Sequence, residues 1–245
     1  MKNLSNQFGN KKVLKSQKTT LVQNVFTTVS NKYDLMNDLM SLGTHRLWKK
    51  ELIELINVQN NQKIIDVGSG TGDIGLKISS LNTSAKIFLG DLNLSMIDAG
   101  KKKLSASNNK IKWINMNCEE LPFANNFFDK YIISFCLRNV TDIKKTLNES
   151  FRVLKEGGEF FCLEFSTVDN PILNYVYSSY KNKLIPILGK FVTNNKGAYE
   201  YLSESIENFP NQKILSNKLT NSGFSNVTFN NLFGGIVCMH RGWKI

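Results

Sequence analysis

The run Ile64-Ile65-Asp66-Val67-Gly68-Ser69-Gly70-Thr71-Gly72-Asp73 decides how the chain is read. Apolar, β-branched residues end at an acid and then break into alternating glycines. This is the pattern of a buried parallel strand turning sharply into a helix. Gly70-Thr71-Gly72-Asp73-Ile74-Gly75 also satisfies the dinucleotide fingerprint, in which a helix N-terminus meets a pyrophosphate. That match starts late, because the first glycine after the strand is Gly68. The charge is also wrong for a phosphate: Asp66 and Asp73 flank the loop, and an anion would meet both carboxylates. A cationic ligand is the better complement.

S-adenosylmethionine, with its ammonium and sulfonium, is such a ligand. The stretch resembles the hhDhGxGxG nucleotide loop of class I methyltransferases, which makes Asp66, Gly68 and Gly70 candidate cofactor residues. A second strand is predicted over Lys86–Asp91, again ending in an acid. Asp91 stands close to the spacing at which an acid at the second strand's end takes ribose hydroxyls in nucleotide folds. Acids at the ends of adjacent strands strengthen the cationic-nucleoside reading beyond what glycines alone support.

The 245 residues suffice for one large α/β domain, with 41% apolar and 21% charged residues. No apolar run approaches the roughly 18 residues of a membrane-spanning helix. Cys118, Cys136, Cys162 and Cys238 are scattered, and there are only two histidines, so neither a disulfide framework nor a zinc or other metal site is indicated. The net charge of +11 raises nucleic acid or an anionic membrane as partners. The charge comes from evenly spread lysines, with arginine only at Arg46, Arg138, Arg152 and Arg241. A chain-wide compositional bias of that kind argues against nucleic acid. Residues 1–19 are basic, lack acids and have no apolar core for a signal peptide, so a disordered N-terminus is expected.

Residues 20–57 read as a helical cap preceding the first sheet strand. Strands are expected over Ile111–Met116, Phe127–Phe135 and Glu159–Phe165, helices from Ser95 (as N-cap) and over Asp142–Leu154, and a closing hairpin over Val227–Phe233 and Ile236–Arg241. Asn117 and Cys118 follow the third strand, where a turn could meet an adenine. Arg138 follows the fourth, on the edge where ligands bind in open α/β folds. Pro171–Lys190 is an aromatic and aliphatic insertion, suited to lining an apolar pocket or lying on a membrane.

Three further stretches are specific. Asn31 to Lys49 (NKYDLMNDLMSLGTHRLWK), Leu137 to Asp142 with Arg152 to Ser166, and Ala198-Tyr-Glu-Tyr-Leu202 with Ser205-Ile206 and Phe209-Pro210 resemble the UbiE-like family of ubiquinone/menaquinone biosynthesis C-methyltransferases. The match spans about residues 20 to 245. It implies an α/β fold, the Rossmann-like class I methyltransferase fold: a seven-stranded, mostly parallel sheet with an antiparallel last strand, helices on both faces and an N-terminal helical cap. It implies one methyltransferase domain over 20–245, with 170–206 as a substrate-side insertion. S-adenosyl-L-methionine contacts are implied at Thr71, Asp91, Asn117, Cys118 and Ser134. Ser69 and Cys118 depart from the usual glycine or alanine and alanine.

The resemblance implies methylation of a ring carbon of a polyprenylated quinol, with another small-molecule methyltransferase as the alternative. The expected setting is bacterial and cytoplasmic, peripheral to an anionic inner membrane, without nucleic acid; a homodimer or an assembly with other quinone-biosynthesis enzymes stays open. An aromatic carbon becomes nucleophilic when its neighbouring hydroxyl loses a proton, so the site needs a base, a stabiliser for the phenolate and an in-line donor. Arg138 is the candidate stabiliser, since it is always charged and offers a rigid fork of donors. Its alternative role is an ion pair with a structural acid. His45 and Tyr33 are candidates for the proton path, with Asp34 to orient one of them.

Overall fold

The computed structural model describes residues 4–103, 110–168, 170–180 and 196–245. The chain opens with a 3-10 turn at Leu4–Asn6 and a short hairpin of β1 (Gln7–Phe8) and β2 (Lys11–Lys12), followed by α1 (Lys15–Val29). The expected disordered N-terminus is therefore corrected over residues 4–19. Phe8 stacks on Tyr201 with ring centroids 4.3 Å apart. Lys18 is buried and donates from Nζ to the carbonyls of Leu4 and Val140 at 2.8 and 2.7 Å. Those partners are remote in sequence, so local composition could not disclose them.

Helices α2 (Tyr33–Ser41) and α3 (His45–Ile56) complete the cap region. The glycine-loop strand is β3 (Lys63–Val67), followed by α4 (Asp73–Ser79), β4 (Lys86–Asp91), α5 (Leu94–Lys101), β5 (Ile111–Asn115) and β6 (Phe128–Ser134). Then come α6 (Ile143–Val153), β7 (Leu154–Phe165), α7 (Pro171–Ser179), α8 (Lys196–Asn208), α9 (Gln212–Asn221), β8 (Ser225–Leu232) and β9 (Val237–Trp243). The N-cap of α5 is Asn93, whose side chain accepts from the Met96 amide, and not Ser95. The part of the Pro171–Lys190 insertion beyond residue 180 lies outside the described residues.

The seven-stranded sheet has the order β5-β4-β3-β6-β7-β9-β8. Only β9 runs against the direction of the other six strands, as expected for the last strand. β3 pairs in parallel with both β4 and β6, which places the glycine loop at the centre of the sheet's C-terminal edge. Its side chains alternate between two apolar layers. Ile64 packs with Ile132, Phe161 and the α3 residues Leu52 and Ile56; Ile65 and Val67 pack with Tyr131, Phe160 and the α6 residue Leu147. A strand covered on both faces has no polar side, so β3 reads as apolar on both faces but for Lys63 at its start and the buried Asp66. Each buried apolar side chain contributes roughly 1.5–3 kcal/mol. A third, smaller cluster (Val29, Met36, Tyr199, Leu202) ties α1 and α2 to α8 above this edge.

Candidate active site

Gly68 and Gly70 turn the chain out of β3 with φ of +64° and +56°, a region that L side chains rarely occupy. A Cβ on Gly68 would lie 2.1 Å from the Cys136 Sγ, so the loop can pass there only as glycine. The loop is pinned by Asp91 at the end of β4. One Asp91 oxygen accepts from the Gly70 amide at 2.8 Å and the other from the Asn93 amide at 2.8 Å. Burial raises this carboxyl above its ordinary value, partly offset by those amides.

A cavity opens over this edge. Gly68, Gly70, Asp91, Asn117 and Cys118 line it, as do Met96, Met116 and Glu119, and Thr19, Val22 and Phe26 of α1 form its roof. Among the described residues that line it there is no Lys or Arg. An acid-bearing cavity with apolar walls and no cation suits a positively charged nucleoside and not a pyrophosphate. Asn117 uses its side-chain oxygen in the turn, accepting from the Glu119 amide at 2.9 Å. Burial pushes the Cys118 thiol up to about 12, so it stands there as a neutral group.

Three expected cofactor residues do not line this cavity. Thr71 is buried between Lys103 Nζ (2.7 Å) and Asp34. Ser134 ends β6 with its Oγ buried and without a partner. Asp66 lies buried beneath the loop, its Oδ2 unpartnered, and burial raises its carboxyl to about 7 against the pull of Lys49. The native chain thus holds a proton here that the unfolded chain releases between about pH 4 and 7. This contribution to stability is fully present at low pH and falls as pH rises through that window. Asp66→Asn should abolish that fall, so the variant gains melting temperature over the parent at pH 8 and not at pH 4. The ceiling is about 4 kcal/mol, at about 1.36 kcal/mol per pKa unit. Equal differences at both pH values would refute the assignment.

A second cavity adjoins the first, and Phe26, Tyr33 and Phe135 line both. Its remaining lining includes Met36, His45, Trp48, Arg138, Phe165 and Leu202. Phe135 takes φ of +53° where β6 ends, a conformation that costs a non-glycine residue on the order of 1–3 kcal/mol. That turn sets its ring 5.0 Å from Phe165 and 6.1 Å from Trp48. Arg138 follows in a 3-10 turn and donates from Nη1 to Glu164 Oε1 and to the Phe135 carbonyl, both at 2.7 Å. The pair is buried, with side chains 4% and 2% exposed, and the Arg138 Nε has no partner. The arginine is therefore both cavity lining and ion-pair partner of a buried acid.

Tyr33 stands between the cavities, and burial pushes its hydroxyl up to about 12, so it keeps its proton at neutral pH. His45 is buried with Nε2 2.8 Å from Asp38 Oδ1. Burial lowers its pKa below the ordinary value. Asp34, expected to orient His45 or Tyr33, instead pairs with Lys103 and lines neither cavity. Asp38, Phe135 and Glu164 escaped the sequence reading. Asp38 sits in the first of the specific stretches, but only the sharp corner between α2 and α3 turns it toward His45.

The ubiE/COQ5 methyltransferase family model matches residues 11–244. A "Ubiquinone/menaquinone biosynthesis C-methyltransferase UbiE" of Rickettsia prowazekii is 47% identical, over 97% of this chain and 98% of that protein. A "2-methoxy-6-polyprenyl-1,4-benzoquinol methylase, mitochondrial" of Dictyostelium discoideum is 41% identical, over 99% of this chain and 87% of that protein. Among solved structures, a SAM-dependent methyltransferase from Aquifex aeolicus shares the fold with a TM-score of 0.59 at 13% identity, over 80% of this chain and 89% of that one. Full-length agreement with the family model and with these relatives settles the family: the chain belongs to the ubiE/COQ5 methyltransferases.

Proposed function

We propose that the protein transfers a methyl group from S-adenosylmethionine to a ring carbon of a polyprenylated quinol, in ubiquinone or menaquinone biosynthesis. The observation that carries this reading is the pair of adjoining cavities. One is acid-bearing, with no lysine or arginine among the described residues that line it; the other is apolar and aromatic, with Arg138 in its wall. Asp91, Gly68, Gly70, Asn117 and Cys118 would hold the cofactor in the first. When bound, S-adenosylmethionine supplies an electrophilic methyl on a sulfonium. The ring would lie among Phe26, Phe135, Trp48 and Phe165 in the second, which excludes water from the reacting carbon. Arg138 favours the phenolate over the neutral quinol, a charge that grows only as the hydroxyl is lost. Tyr33 keeps its proton and serves as a hydrogen-bond donor between the cavities.

The unit responsible reaches back before residue 20, because Thr19 of α1 lines the first cavity, and α1 to α3 frame both cavities. Offering demethylated quinols beside unrelated phenols, amines and carboxylates tests the acceptor class. Turnover confined to quinols supports it; a faster unrelated acceptor would overturn it.

The same reading predicts peripheral binding to an anionic membrane, since the quinol's tail partitions into lipid. No helix among the described residues is long and apolar enough to cross a membrane. The chain carries a net charge of +11, and Ile172 and Tyr175 of α7 are exposed. Sedimentation with anionic vesicles should fall as salt rises, because charge attraction is screened. Salt-independent binding, equal on neutral vesicles, would replace charge attraction by apolar insertion of α7.

A further inference from the structure

The second cavity holds a hydrogen-bonded pair whose chemistry is set by geometry. Asp38 is clamped by Arg46, whose Nε and Nη2 donate to its two oxygens at 3.0 and 2.7 Å. Oδ1 also faces His45 Nε2 at 2.8 Å. A carboxylate only accepts, so Nε2 must carry the proton, and in the neutral ring Nδ1 is left with a free lone pair. That Nδ1 is buried and has no partner, while the residue lines the cavity. The corner that makes the pair is tight: Leu42 and Gly43 take φ of +49° and +74°, and the Ser41 Oγ accepts from the His45 amide at 3.2 Å.

We propose that His45 Nδ1 accepts the proton of the quinol hydroxyl and that Asp38 is the positioning residue that fixes the tautomer. The assignment rests on the proposed quinol C-methylation. In the step, the O–H bond breaks, the proton goes to Nδ1 and the electron pair stays on oxygen. The ring carbon then forms its bond to the methyl as the methyl–sulfur bond breaks, the bonding pair leaving on sulfur. The proton on that carbon passes through solvent to the oxygen, its bonding pair returning to the ring, which restores the aromatic quinol. His45 releases to solvent the proton it took, one per turnover.

The other groups lining the cavity do not compete for this role. Arg138 is permanently charged. Tyr33 is protonated, its hydroxyl pushed up to about 12 by burial. Lys49 is paired with Asp73 at 2.8 Å. The charges that face His45 are Asp38 from α2, Lys49 from its own helix and Asp73 from α4, with Arg46 behind Asp38. Burial leaves the imidazole neutral at pH 7, and Arg46 followed by His45 holds the Asp38 carboxyl down to about 2. Asp38 therefore stays anionic and does not take the proton itself.

The test is single-turnover methyl transfer to a demethylated quinol between pH 5 and 8, with melting temperature and S-adenosylmethionine affinity measured in parallel. The parent rate should rise with pH along a limb centred below 6.5. His45→Gln should lose that limb and about 100- to 10,000-fold in rate, the usual worth of general-base catalysis. Added imidazole should restore part of the rate in His45→Gly. Asp38→Asn, whose amide accepts either tautomer, should lower kcat about 10- to 100-fold, leave KM and cofactor affinity within about twofold, and move the limb to lower pH as the nearby anion is lost. A merely structural Asp38 would move melting temperature or KM and leave the limb in place, which would overturn the assignment. So would a folded His45→Gln enzyme with parental rate and profile. No transfer by the parent to any quinol would instead overturn the functional reading on which the assignment stands.

Discussion

Replacing Asp91 by alanine is expected to weaken S-adenosylmethionine binding on the order of 100- to 10,000-fold. A carboxylate that takes both ribose hydroxyls makes charge-assisted bonds of roughly 1.5–3 kcal/mol each, and each 1.4 kcal/mol is about tenfold in affinity. Alanine also frees the Gly70 and Asn93 amides, so part of the loss reflects a loosened glycine loop. Asp91→Asn separates the two effects. Its amide oxygen can keep one of those amides, but the charge is gone, so affinity should fall while the melting temperature holds. Calorimetric titration checks both variants, and a folded Asp91→Ala protein with near-parental affinity would remove Asp91 from the cofactor site.

Arg138→Ala is expected to lower kcat and kcat/KM together, on the order of 100- to 1,000-fold, with little change in cofactor affinity. The ion pair with Glu164 complicates a simple truncation. Removing one partner leaves the other buried and unpaired, at a cost of about 3–5 kcal/mol in stability. Burial already raises the Glu164 carboxyl despite the guanidinium beside it, and without Arg138 it should protonate outright. Arg138→Lys keeps the charge while losing the planar fork, and should recover part of the rate. Glu164→Gln keeps Arg138 in the cavity wall without its acid. If Arg138 acts on the phenolate, Glu164→Gln loses stability but retains much of the turnover, whereas Arg138→Ala loses turnover even where it stays folded. A folded Arg138→Ala enzyme with parental single-turnover rate would leave the arginine with its ion-pair role alone.

The sheet was legible in the sequence because its determinants are local. β3 carries apolar residues on both faces, interrupted only by Lys63 and Asp66, and the glycines that follow leave few conformations, so strand, turn and helix are placed from local residues. Asp91 was legible for the same reason, as an acid at the end of a predicted strand. What could not be read depends on which strand lies beside which. Glu164 meets Arg138 only because β7 pairs with β6, as Ser134 opposite Leu163 makes plain. Phe135 carries no sign of its left-handed backbone, since Phe is an unusual residue to place there. The N-terminal segment reads as disordered because it is basic, lacks acids and has no apolar core, yet Lys18 is held by the carbonyl of Val140 and Phe8 by the ring of Tyr201. Asp34 and Asp38 stand four apart on α2, on one face and one turn from each other, so helical periodicity does not separate them; only Asp38 lies by the corner that joins α2 to α3.

The most direct measurement is transfer of a deuterated methyl group from labelled S-adenosylmethionine to a demethylated polyprenyl quinol, with the product identified by mass and by the position of the label. Label on a ring carbon, formed by the parent and lost with Asp91→Ala, is the expected result. Label on a hydroxyl oxygen, or no labelled quinol from a protein that binds S-adenosylmethionine, would contradict ring-carbon methylation.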